Sequence, residues 1–149
     1  MAEAGKINTT ILLVEDNPGD QKLFSKSLQM KEIDSEVVTV GTGEEAVEYF
    51  KSAGGDINFI RPDLIILDLN MPGMGGKAFL KQFKKMEDFN DIPVVVLTTS
   101  DSDIDIVESY KLQAAGYIKK PVSLKGFLDV ISTLEQYWMG ICRLPGRDS

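Results

Sequence analysis

Acidic residues stand at the ends of apolar runs in this chain, and they are the groups with which chemistry could be done. Glu15 and Asp16 follow Ile11–Val14, and Asp68 follows Leu64–Leu67. Thr98, Thr99 and Ser100 follow Val94–Leu97, and Lys119, Lys120 and Pro121 follow the short run ending at Ile118. If the first and third runs lie side by side, Glu15, Asp16 and Asp68 converge. Three like charges at one point repel and raise each other's pKa. A hard cation such as Mg²⁺ relieves this, because it prefers carboxylates, carbonyls and retained waters. Lys120, leaving its own run toward the same edge, relieves it too. A carboxylate can also act as a nucleophile and take a phosphoryl group as an acyl phosphate. In that chemistry Asp68 attacks, the cation bridges the phosphoryl oxygens, Lys120 neutralises developing charge and Thr98 offers a hydroxyl. The group so attached adds about −1.5 to −2 charge and three acceptor oxygens, enough to draw a hydroxyl and its loop inward. Each acid alone reads better as a solvated strand end or a helix cap than as part of a site. Their coincidence with a lysine is what favours a site.

The elements that must position these residues alternate. The runs Ile11–Val14, Leu64–Leu67 and Val94–Leu97 are rich in Ile, Val and Leu without polar alternation, as in parallel strands buried on both faces. Glu36–Val40 is a fourth strand and Gly116–Lys119 a short fifth. Helical spacing fills the intervals. Pro18–Lys31 places Leu23, Phe24 and Leu28 on one face, with Pro18 suited to a helix start. Thr42 is an N-cap with Glu45 three residues on. Gly76–Met86 carries Phe79, Leu80 and Phe83. Asp101–Ala115 is a fourth helix, capped by Ser100 or Asp101 and stopped by Gly116. The last helix begins at Ser123 and runs through Leu124, Phe127, Leu128, Ile131, Leu134, Trp138 and Ile141. Five β-α units in order imply a doubly wound α/β sheet. In such sheets ligands bind at the carboxyl ends of the strands, where the acids are. Ala53–Arg61, rich in Gly, Asp and Asn, reads as an exposed loop.

Composition narrows the chemistry. The 149 residues contain no histidine and one cysteine, Cys142. Ser-His and Cys-His nucleophile pairs, His-ligated metals, thiolate zinc cages and intrachain disulfides are therefore excluded. The single cysteine fits a reducing compartment, so the cytoplasm is expected. A net charge of −7 argues against direct nucleic-acid binding. No apolar run approaches the ~18 residues of a membrane span, and Met1–Lys6 is not a signal peptide. Gly73–Lys77 only superficially suggests a phosphate loop, since Met71 stands where the first glycine belongs and Ala78 replaces Ser/Thr. Asp101, Asp103 and Asp105 lack the glycine and glutamate of an EF-hand and read as the acidic start of a helix.

Four segments, in order, carry a family resemblance: Leu13-Val14-Glu15-Asp16, Leu67–Gly76, Pro93–Thr98 and Gly116–Pro121. Together they resemble the receiver domain of bacterial two-component response regulators, with Thr98 30 residues after Asp68, and Tyr117 and Lys120 19 and 22 after Thr98. The likeness runs from about Thr10 to Leu134. It implies a flavodoxin-like five-stranded parallel sheet of order 2-1-3-4-5 with helices on both faces. It implies that Asp68 is the phosphoacceptor and that Glu15 and Asp16 hold Mg²⁺, Asp16 directly and Glu15 through water. The Asn70 carbonyl is the third protein ligand, Thr98 and Lys120 contact phosphate, and Tyr117 is a switch aromatic. Lys119 should point away, since strand side chains alternate. Glu15 departs from the commoner aspartate, and Gly75 stands where many receivers have aspartate.

The resemblance also implies partners. The phosphodonor is a sensor histidine kinase or a His-phosphotransfer protein, and the ending Tyr137-Trp138 resembles stand-alone receivers paired with phytochrome-type kinases. The expected organisation is one domain over 1–149, with a core at 8–135 and an extension at 136–149. The apolar load of that extension (Tyr137, Trp138, Met139, Ile141, Leu144) either caps the core or forms an interface. A homodimer through the fourth and fifth helices and the fifth strand is expected. Such a protein is not an enzyme beyond its own phosphorylation and slow autodephosphorylation. The alternative is a phosphohydrolase of the haloacid dehalogenase type, which also uses Asp, Lys, Thr and Mg²⁺. Its nucleophile, however, follows the first strand of its core in an Asp-x-Asp motif, whereas position 70 here is asparagine.

Overall fold

Strand residues of alternating parity face opposite ways, and both faces of this sheet are apolar. The computed structural model describes residues 9–139. Five parallel strands, β1 (Thr9–Val14), β2 (Ser35–Val40), β3 (Leu64–Leu67), β4 (Val94–Thr98) and β5 (Gly116–Lys119), form one sheet in the order β2-β1-β3-β4-β5. Leu12, Val14, Ile65, Leu67, Val94 and Val96 point to one side. There they bury Ala46, Val47 and Phe50 of α2 (Gly43–Lys51) and Phe79, Leu80 and Phe83 of α3 (Gly76–Phe83). Ile11, Leu13, Leu64, Ile66, Val95 and Leu97 point to the other. These meet Phe24 and Leu28 of α1 (Pro18–Met30) and Phe127, Val130, Ile131 and Leu134 of α5 (Leu124–Leu134). Each fully buried large side chain contributes about 1.5–3 kcal/mol, so the two layers hold the strand ends rigidly in register.

The helix starts follow local chemistry. Asn17, Thr42 and Ser123 each accept a backbone N–H from the third residue on. Glu45 reaches back to the N–H of Gly41, one residue earlier than the usual partner in a capping box. α4 (Asp103–Lys111) is shorter than the expected 101–115. Its cap is Ser102, whose hydroxyl accepts from Asp105 N–H at 3.1 Å. Neither Ser100 nor Asp101 caps it, because Ser100 donates to the Asp105 carboxylate and Asp101 pairs with Lys119. Its C-terminal stop is also earlier than Gly116. The chain turns at Gln113, in the left-handed region at φ 68°, and Gly116 opens β5 instead. α3 likewise ends at Phe83, three residues before the expected Met86.

The loop 53–61 is less free than its composition suggests. Ile57 is almost fully exposed, but the Phe59 ring packs against Tyr49, Phe50 and Phe89, and Arg61 pairs with Asp91 at 2.8 Å. Beyond α5 the chain widens into a π-helical turn, Glu135–Met139. Trp138 packs against the α1/α5 layer, its ring over Gly116, where a β-carbon would sit 3.1 Å from the indole. For this residue, core capping is the alternative that holds. Tyr137 is half exposed. Ile141, Cys142 and Leu144 lie outside the described residues. Among those described, no helix is long and apolar enough to cross a membrane.

Candidate functional site

Parallel register brings the acids together. Val14 of β1 pairs with Leu67 of β3, so the residues that follow, Glu15 and Asp68, leave the sheet side by side. Asp68 N–H donates to the Val14 carbonyl at 3.0 Å, and Glu15 N–H donates to that of Val40 at 2.9 Å. Carboxylate oxygens of Glu15, Asp16 and Asp68 all lie within 4.8 Å of one another. Thr98 ends β4 opposite Lys119, and its carbonyl accepts from Lys120 N–H, which turns the Lys120 side chain into the cluster. Lys119 points outward, as strand alternation requires, and pairs with exposed Asp101 at 3.1 Å.

The cluster is buried on one side. Glu15, Asp68 and Lys120 are buried, whereas Asp16 is exposed. The Lys120 ammonium contacts Glu15 at 2.7 Å, Asp20 at 3.0 Å and Asp68 at 3.2 Å. Burial pushes the Glu15 carboxyl up to about 7. The hydrogen bonds from Lys120 and from Asn17 N–H offset this only in part, and the charge of Asp68 adds to it. Burial alone would lower the Lys120 pKa, but hydrogen bonding to Glu15 and Asp20 and the charge of Asp68 carry it above the ordinary lysine value. The lysine is therefore firmly a cation, and Glu15 is the member of the pair held reluctantly as an anion. This all-oxygen, multiply anionic donor set suits a hard divalent cation. Asp16 faces solvent, where a hydrated ion can reach it. Glu15 is engaged by Lys120 and by Asn17 N–H at 3.1 Å.

The surrounding loops are built for close approach. Gly76 opens α3 so near the end of β3 that a β-carbon there would lie 2.4 Å from the Asp68 carbonyl oxygen. Gly73 turns the preceding loop at φ 69°. Gly75 is the α3 cap and offers no side-chain hydrogen bond, unlike an aspartate at that place. Asn70 N–H donates to Asp68 at 3.2 Å, and its side-chain amide lies 3.4 Å from the Thr98 hydroxyl and 3.3 Å from that of Thr99. Thr98 is fully buried. Half-buried Tyr117 donates its hydroxyl to the Ser100 carbonyl at 2.8 Å. Ser100 also binds Asp105, which Lys77 of α3 holds at 2.6 Å. A continuous set of contacts therefore joins the Asp68 loop, the β4–α4 loop, β5 and α3.

Every residue expected at the site lies at this edge of the sheet. Asp20 is the one that the sequence did not single out. It stands four residues after Asp16 in the first turn of α1, where an acid reads as a helix-dipole partner, and its contact with Lys120 spans 100 residues of sequence.

Comparison with known proteins agrees with this geometry. The family model "Response regulator receiver domain" matches residues 11–132. The chain belongs to that family. Response regulator Rcp1 of a Synechocystis species is 35% identical, the match covering 97% of this chain and 99% of that protein. The solved phosphorylated cyanobacterial phytochrome response regulator RcpA superposes with a TM-score of 0.86 at 38% identity, over 94% of this chain and all of that one. The Mn²⁺-bound form of Rcp1 gives a TM-score of 0.83 at 36% identity, covering 93% and 99%. Receivers act in two-component systems and interact with histidine kinases or phosphotransfer proteins. The phosphohydrolase alternative finds no support. Asp68 follows the third strand in sequence, and the side chain at position 70 is an amide lying toward Thr98 and Thr99.

Proposed function

We propose that Asp68 accepts a phosphoryl group from a phosphohistidine of a partner kinase or phosphotransfer protein. A carboxylate oxygen of Asp68 attacks phosphorus. The donor's P–N bond breaks, and its electron pair stays on the imidazole nitrogen, which takes up a proton in that step or after it. These 149 residues contain no histidine, so none of them can supply the phosphohistidine. The observation that carries this reading is the carboxylate cluster Glu15, Asp16 and Asp68 against buried Lys120. Mg²⁺ is the proposed cation, held by Asp16, Asp68 and the Asn70 carbonyl, with Glu15 reaching it through water. When bound, the ion shields the charge between Asp68 and the phosphoryl oxygens. Lys120 meets one of those oxygens, and the Thr98 hydroxyl turns toward another. That movement bears on Tyr117 through the β4–α4 loop, because its hydroxyl is tied to Ser100.

Similarity to a phytochrome response regulator supports a phytochrome-type kinase as donor, and the single cysteine supports the cytoplasm as the compartment. The exposed apolar residues Ile104, Val107 and Tyr110 of α4, with Val122 before α5, support a dimer surface over α4, β5 and α5. The proposed unit is one receiver over 1–149 with its core at 8–135. The proposed activity is limited to its own phosphorylation and slow loss of phosphate.

Intact-mass measurement with acetyl phosphate and Mg²⁺ tests this. One phosphoryl group should add slowly and not add to Asp68→Asn. Turnover of phosphate esters, or labelling that survives Asp68→Asn, overturns the reading.

A further inference from the structure

Lys120 is shared three ways. Its ammonium has three N–H donors, and its three carboxylate partners are Glu15, Asp20 and Asp68 at 2.7, 3.0 and 3.2 Å. The proposed phosphoacceptor has the longest of these contacts. The partners also differ in what they lose if the lysine leaves. The Glu15 and Asp68 side chains are each 4% exposed, so either is left as an uncompensated buried charge. Asp20 is 22% exposed and sits in the first turn of α1, where water and the helix N-terminus both stabilise an anion. It is the partner that gives up the lysine most easily.

We infer that Asp20 is a positioning residue that competes with phosphorylated Asp68 for Lys120 and so limits how readily the site holds a phosphoryl group. The inference rests on the reading of Asp68 and Lys120 given above. In the resting protein Asp20 draws the ammonium toward α1. A phosphoryl group on Asp68 presents new oxygens, and the lysine releases Asp20 to meet them. Whatever the Asp20 contact contributes is then lost from the phosphorylated form. For a partly exposed ion pair that loss amounts to roughly three- to fivefold in an equilibrium constant.

The test is calorimetric titration of the full chain with beryllofluoride in the presence of Mg²⁺. Asp20→Asn should bind it about three- to fivefold more tightly than wild type. Asp20→Glu, which keeps the charge and can still reach the lysine, should stay near wild type. The gain should persist at about 0.5 M salt, where long-range charge effects are screened. In metal-free protein the Lys120 ammonium signal in NMR should move in Asp20→Asn and much less in Asp20→Glu. Equal or weaker binding by Asp20→Asn, or a gain that vanishes in salt, overturns the inference. Asp68→Asn run alongside should lose binding. If it does not, the reading of the site has failed, and that failure is distinct from a failure of the role given to Asp20.

Discussion

The metal-free protein should lose stability as pH rises through the range in which most proteins are most stable. Glu15 is responsible. Burial lifts its carboxyl from 4.5 to about 7, against only partial relief from Lys120 and Asn17 N–H. In that interval the folded state therefore binds a proton that the unfolded state does not, and stability falls as pH rises. The stabilising effect of the proton is complete below about 4.5 and gone above about 7. That displacement corresponds to about 3 kcal/mol, a large part of the 5–15 kcal/mol that holds a typical domain folded. The chain has no histidine, so no other side chain has an ordinary pKa between 5 and 8 to mask the effect. Urea unfolding in EDTA from pH 4.5 to 8.5, followed by the single tryptophan, measures it. Wild type should decline and then level above about pH 7. Glu15→Gln should be flat across the range and the more stable of the two at pH 8. Millimolar Mg²⁺ at pH 8 should restore wild-type stability through its preference for the folded state. A wild-type profile that is flat or rises with pH in EDTA, or one unchanged by Glu15→Gln, refutes the reasoning.

Three other perturbations follow from particular contacts. In Gly76→Ala the new β-carbon meets the Asp68 carbonyl at 2.4 Å and Leu69 Cα at 2.7 Å. Such backbone overpacking should cost about 1–3 kcal/mol in denaturant unfolding and slow phosphoryl uptake, outweighing the roughly 1 kcal/mol that alanine gains in helix propensity. In Gly116→Ala the methyl meets the Trp138 ring at 3.1 Å, so the tryptophan emission should shift to the red; an unchanged spectrum means that the ring does not rest there. Asp105 is held below the usual carboxylate range by hydrogen bonds first from Lys77 and then from Ser100, so its contribution is present at neutral pH and lost as pH falls through its folded value. Lys77→Ala should return the Asp105 titration, read by carboxyl NMR, toward about 3.9 while costing less than about 1 kcal/mol at pH 7.

What could be read from the sequence was short-range. The apolar run Leu64–Leu67 gave β3 its observed limits, because a strand buried on both faces has no polar residue inside it. Glu15, Asp16, Asp68 and Lys120 were legible because they stand directly at the ends of β1, β3 and β5. The start of α4 was not, since Ser100, Asp101 and Ser102 are all competent caps. The Ser100 hydroxyl goes to the Asp105 carboxylate and Asp101 pairs with Lys119, remote in sequence, which leaves Ser102 to cap the helix. Phe59 was hidden in the same way: Gly, Asp and Asn around it signal a loop, while its anchor lies in Phe50 and Phe89. Asp20 illustrates the limit most clearly. Nothing local distinguishes it from other first-turn acids, and its meaning comes from a lysine four strands later in the chain.

The central claim is that the phosphoryl group resides on Asp68, and chemical trapping locates it directly. The protein is phosphorylated with acetyl phosphate and Mg²⁺, reduced with borohydride, which converts an acyl phosphate to homoserine, and mapped by peptide mass spectrometry. Homoserine should form at position 68 alone, with none when Mg²⁺ is withheld by EDTA. Reduction mapping to another carboxylate, or a phosphate that survives as a serine or threonine ester, would contradict it.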